Sequence, residues 1–115
     1  MIVHIHNKPS CFNHLEQAGY QYYMSATEAE DICCFAILKQ HEEAMIHLEM
    51  LGKFTKSNYE IMSQDFHFVL DLCEKMQCKR LVAINKEYED PKWPKFIKLF
   101  GFPEPTVLAV SAREV

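Results

Sequence analysis

Residues 32–38, Ile-Cys-Cys-Phe-Ala-Ile-Leu, form an apolar run with no polar break. A strand with one face in water alternates apolar and polar side chains, so this run predicts a strand buried on both faces. The chain must then supply a layer on each side of a sheet. After a polar connection at 39–43, residues 44–51 read as a second strand. On it Ala44, Ile46, Leu48 and Met50 point one way, and Met45, His47, Glu49 and Leu51 the other. The first face is apolar throughout. The second sets two polar groups among apolar ones.

A long helix is predicted over 58–76. Ser57-Asn-Tyr-Glu60 has the spacing of a capping box, and Met62, Phe66, Val69, Leu70 and Cys73 recur at helical period. The remaining elements are punctuated by Gly19, Gly52 and Gly101 and by prolines. They are a strand at 2–6, a helix at 11–18 behind Ser10, an aromatic segment at 20–24 open to either strand or helix, and an acidic turn at 27–31. A strand at 81–84, a charged loop at 86–92, a short helix from Pro94 to Phe100 and a strand at 106–110 complete the chain. This order predicts an α/β (α+β) fold: a mixed sheet, antiparallel in its first part, with a parallel pair joined by a right-handed crossover over 44–85.

At 115 residues the chain is expected to be one domain, 1–115, with a single core. A net charge of −4 argues against nucleic acid or an anionic membrane as partner. No apolar run approaches the about 18 residues that span a bilayer. The start, Met1-Ile-Val-His-Ile-His, lacks the features of a secretory leader, so the expected address is cytoplasmic. Five cysteines, an odd number without a Cys-x-x-Cys, predict neither a disulfide nor a zinc site.

The central strand, the long helix after it, and Phe96-Ile-Lys-Leu-Phe-Gly-Phe102 resemble the GNAT N-acetyltransferase fold, whose last helix closes on a similar Phe-x-x-x-x-Gly-Phe. The likeness covers about residues 32–110, with a trimmed N-terminal region. It points further to small bacteriophage-encoded members. It implies acetyl-CoA as cofactor, with its pyrophosphate on the backbone where the central strand turns into the long helix. The family pattern Arg/Gln-x-x-Gly-x-Gly/Ala falls on Thr55, Lys56, Ser57, Asn58, Tyr59 and Glu60, so neither glycine is present. Leu51, Lys53, Thr55, Lys56, Ser57 and Asn58 are the implied cofactor contacts, with Asn85 matching a frequent family asparagine. Glu60, read as part of the first helical turn, is expected to compete with the pyrophosphate for the same amides.

The resemblance makes Glu49 and His47 candidate general bases and Tyr88 a candidate proton donor to the departing thiolate. The plainer reading makes the first two solvent-facing residues of a half-covered sheet, or groups hydrogen-bonded to neighbours, and Tyr88 an exposed loop tyrosine. His4 and His6 share one face of the first strand, a spacing that suits either a metal or an ordinary surface. Trp93, between Pro91 and Pro94, suits a partner anchor or a lid over the short helix. Two functional classes remain. One is a GNAT-derived binding protein of a phage accessory or inhibitor type with weak or no acetyltransferase activity, acting through a protein partner or as a homodimer that uses Tyr20, Tyr22, Tyr23 and Met24 or the neighbouring sheet edge. The other is an acetyl-CoA-dependent N-acyltransferase.

Overall fold

The computed structural model describes residues 2–84, 92–103 and 110–115. Strand β3 (Asp31–Gln40) carries the apolar run, and its residues 32–38 are all buried. It lies inside a six-stranded sheet of order β1-β2-β3-β4-β5-β6, with β1 at Ile2–Ile5, β2 at Gln21–Ala26, β4 at Glu43–Met50, β5 at Arg80–Ile84 and β6 at Val110–Glu114. All neighbours pair antiparallel except β4 and β5, which are parallel across helix α1 (Lys56–Lys75). A second helix, α2, covers Trp93–Lys98.

The sheet is covered on both sides, by layers of very different weight. On one side α1 lays down Met62, Phe66, Val69 and Cys73, and with Ile97, Phe100 and Phe102 they pack on Phe35, Ile37, Ala44, Ile46, Leu81 and Ala83. The apolar stripe that predicted the helix is the stripe it buries. On the other side Phe12 and Leu15, with the partly buried Tyr20, Tyr22 and Met24, cover Cys34 and Ala36.

That second layer differs from the helix expected at 11–18. Only a 3₁₀ turn forms at Ser10–Phe12, entered from Pro9 with no side-chain cap. Three residues suffice to turn Phe12 inward, and the segment lacks the repeating stripe that would hold a longer helix. The aromatic segment is strand β2, in register with β1 and β3. Tyr23 is buried in the larger core, while Tyr22 stacks on Phe12 with ring centroids 6.0 Å apart. Trp93 is 5% exposed and belongs to the core, so it is neither a partner anchor nor an outer lid. Of the strand expected at 106–110, only Val110 lies among the described residues, where it opens β6.

Candidate functional site

The pairing of β4 locates the site. Against β3 it is paired to its end, from Gln40↔Glu43 to Cys33↔Met50. Against β5 the ladder runs only from Glu43↔Arg80 to Ile46↔Ala83. Among the described residues, β4 from His47 to Met50 is therefore paired on one side alone. Backbone groups on its other side are left for water or for an extended ligand.

This open stretch leads directly into the N-terminus of α1. The helix starts earlier than the sequence pattern indicates, because Thr55 is the cap: its hydroxyl accepts from the Asn58 backbone N–H at 3.1 Å. Lys56 and Ser57 thereby become the first two helical residues, whose N–H groups have no acceptor within the helix. Glu60 falls in the second turn and is exposed, and no acidic residue stands in the first. The expected capping box at Ser57 and Glu60 is corrected accordingly, and with it the expectation that Glu60 competes for those amides.

A different carboxylate approaches this loop. The Asn58 side chain is buried and its amide donates to Glu30 Oε1 at 3.0 Å and to the Lys53 carbonyl at 2.8 Å. Glu30 is aimed there by the β2–β3 turn, where the Thr27 hydroxyl accepts from the Ala29 and Glu30 N–H groups. Gly52 passes so close that a Cβ would lie 2.8 Å from Glu30 Oε2. Leu51, Lys53, Thr55, Lys56 and Ser57 are exposed around it. Asn85 and Tyr88 lie outside the described residues.

His47 and Glu49 sit on the lightly covered face of β4, opposite Ala36 and Cys34 of β3. Glu49 is half-buried, but His47 is only 8% exposed. Its Nε2 lies 3.1 Å from the Tyr20 hydroxyl, and the Tyr20 ring stands edge-on to the imidazole at 5.6 Å. The His14 ring stands edge-on at 6.2 Å. Burial, with the nearby His14, lowers the His47 pKa to about 4, so the ring is neutral at physiological pH. Its Nδ1 is buried without a hydrogen-bond partner among the described residues. Nearby Cys34 is pushed up to about 12, first by burial, which makes it a poor nucleophile.

The structure thus brings the two candidate bases together at the open strand and sets the candidate phosphate contacts at its end. Tyr20, His14 and Glu30 have no local motif and are placed by strand register and loop packing. His4 and His6 are exposed, their ring centroids 4.7 Å apart. Among the described residues no group of three or more metal-ligating side chains is present, and no helix is long and apolar enough to cross a membrane. All five cysteines are free thiols.

No protein-family model and no curated protein matches the chain. Among solved structures it is similar to the crystal structure of a GNAT family acetyltransferase from Elizabethkingia anophelis with acetyl-CoA bound. The superposition has a TM-score of 0.69 at 15% identity and covers 100% of this chain and 97% of that one. At that identity the likeness is one of fold. The chain has the GNAT fold, and its first thirty residues are included in the match.

Proposed function

We propose that the protein binds acetyl-CoA along the open side of β4 and catalyses transfer of the acetyl group to an amine. One observation carries this reading: β4 stops pairing with β5 after Ile46, and its open end runs on toward a helix whose first turn is free of acidic residues. The fit is chemical as well as topological. An arm with amide groups hydrogen-bonds to an unpaired strand as another strand would. A diphosphate suits the N–H groups of Lys56 and Ser57, with the Lys53 and Lys56 ammonium groups as counter-charge. Bound acetyl-CoA supplies a thioester already activated toward nitrogen nucleophiles. For its part the chain offers the half-buried Glu49 and, two residues before it on the same face, a neutral His47 as the groups to take the amine proton. Tyr88 is the group the GNAT resemblance offers as proton donor to the leaving sulfur.

The test is thermal unfolding with acetyl-CoA and, separately, with CoA. A ligand at about a hundred times its Kd adds about 2.7 kcal/mol of apparent stability. A saturable rise in Tm with micromolar acetyl-CoA is expected, and no shift up to millimolar ligand overturns the reading.

A second reading keeps the fold and drops the chemistry: a GNAT-fold protein of a phage accessory type that acts on a partner protein or on a second copy. It is favoured by Leu51, Phe54 and Leu99, which are 47%, 43% and 48% exposed around the β4–α1 connection and α2. Light scattering coupled to size exclusion, together with the acetyl-CoA titration, separates the two. A dimer that Phe54→Glu dissociates, with no cofactor effect, would favour the second.

A further inference from the structure

The β4–α1 connection carries a single aromatic residue, Phe54, and it is 43% exposed. The ring is nonetheless held from two sides. It stands edge-on to Tyr59 of α1, with centroids 6.1 Å apart, and edge-on to Phe96 of α2 at 5.2 Å. Both of those rings lean in turn on the buried Phe100, at 6.0 and 5.4 Å. The Tyr59 hydroxyl donates to the Leu99 carbonyl at 3.3 Å, which sets Leu99, 48% exposed, beside the same rings. The result is an apolar shelf fixed to the core and open to water on its outer side. Apolar surface held in place in this way is preorganised for a ligand.

The shelf adjoins the residues that suit a diphosphate. Phe54 directly precedes the cap Thr55 and stands two residues before Lys56, the first residue of α1. The Cα atoms of Phe54 and Lys56 are therefore at most about 7 Å apart. In acetyl-CoA a single ribose joins the diphosphate to a flat, uncharged purine, adenine. An aromatic ring with apolar neighbours is what such a base stacks on. A protein partner would suit the apolar character equally well. Adenine also accounts for the place of the shelf, at the start of a helix with the exposed Lys53 and Lys56 on either side.

We propose that Phe54 is a specificity-determining residue whose ring stacks on the adenine of CoA, so that the protein selects thioesters of CoA over thioesters of a phosphopantetheine arm that carries no nucleotide. This rests on the acetyl-CoA reading and adds to it the end of the carrier that is recognised besides the amide arm. It also gives the exposed Phe54 and Leu99 an occupant other than a second protein chain.

The experiment is calorimetric titration of the wild type, Phe54→Leu and Phe54→Ala with acetyl-CoA and with S-acetyl-4′-phosphopantetheine. The second ligand keeps the thioester, the amide arm and one phosphate but lacks the nucleotide. Leucine leaves an apolar side chain against Tyr59 and Phe96 and removes only the ring, so Phe54→Leu decides if Phe54→Ala fails to fold. Both variants are expected to bind acetyl-CoA about five- to a hundredfold more weakly, the range for one base on one aromatic ring, and to bind the shorter thioester as the wild type does. In proton NMR the adenine H2 and H8 resonances should move upfield on binding to the wild type, as protons over a ring face do, and move less with Phe54→Leu. Where the shorter thioester binds too weakly to titrate, these resonances decide. An equal loss for both thioesters, no loss for either, or adenine resonances that stay in place overturns the Phe54 assignment and leaves the acetyl-CoA reading standing. A wild-type dimer that Phe54→Leu dissociates, without the adenine shifts, makes a second copy the occupant of the shelf. If the wild type binds neither thioester, the acetyl-CoA reading fails and this assignment falls with it.

Discussion

The carboxylate of Glu30 and the side-chain amide of Asn58 are joined at 3.0 Å across 28 residues of sequence, which brings a negative charge to the first turn of α1. Carboxylates near a helix N-terminus are stabilised there by the helix dipole, by about 0.3–1 kcal/mol, and an incoming diphosphate draws on the same dipole. Glu30→Gln keeps an oxygen for Asn58 and removes the charge. Under the acetyl-CoA reading it should tighten binding about two- to fivefold at low salt, an effect that shrinks as salt is added. Calorimetric titration checks this, and weaker binding in Glu30→Gln would assign Glu30 a supporting role instead.

Further along the same face of α1, the fully buried Ser25 of β2 donates to Asp65 Oδ2 at 2.5 Å. A hydrogen bond to a charged acceptor contributes more than a neutral one, about 1.5–3 kcal/mol. Ser25→Ala should therefore lower unfolding stability by about that amount with little change in the urea m-value. A loss below about 0.5 kcal/mol, the range of an ordinary surface change, would show that the bond does little to hold the helix to the sheet.

These two contacts mark where sequence pattern stops being informative. The strand at 32–38, the stripe on α1 and the parallel crossover are local or periodic features, and hydrophobic period reports them directly. Ser57-Asn-Tyr-Glu60 has capping-box spacing and points to a later helix entry than the structure has, because the path out of β4 makes Thr55 the cap. Alternation placed His47 correctly on the polar-bearing face of β4. Its burial was not legible, because the cover comes from Tyr20 and His14, which no local periodicity links to position 47. Glu30 looked like one charge in an acidic turn for the same reason.

Gly101 is required by its surroundings as well as its backbone. It sits at φ +84, and a Cβ there would lie 2.6 Å from Arg113 Nη1, which donates to the Phe100 carbonyl at 2.8 Å. Gly101→Ala adds left-handed strain of about 1–2 kcal/mol and displaces the guanidinium from that charged hydrogen bond, about 1.5–3 kcal/mol more. The two contributions separate in a double-mutant cycle with Arg113→Met. In the methionine background Gly101→Ala should lose only the strain part, and an equal loss in both backgrounds would remove Arg113 from the account.

His47 makes stability depend on acid. In the folded protein burial and the neighbouring His14 hold its pKa near 4, against 6.5 for the ordinary side chain, so between those values the unfolded chain binds the proton that the folded one refuses. The stabilisation is complete above pH 6.5 and is lost as pH falls toward 4, the sense of any buried neutral histidine. Between pH 7.5 and 5.0 the linkage amounts to a loss of about 2 kcal/mol. His47→Leu removes the titrating ring while leaving an apolar side chain under Tyr20. Urea unfolding of both proteins at the two pH values isolates the contribution, since every other group titrates in each. The wild type should lose about 2 kcal/mol more than the variant over that interval, and parallel losses would mean that His47 is solvated in the folded protein. The same low pKa has a kinetic counterpart under the acetyl-transfer reading. Turnover should show no inflection near pH 6.5, because the base is already unprotonated there, and an acid limb centred near 6.5 would move that role from His47 to another group.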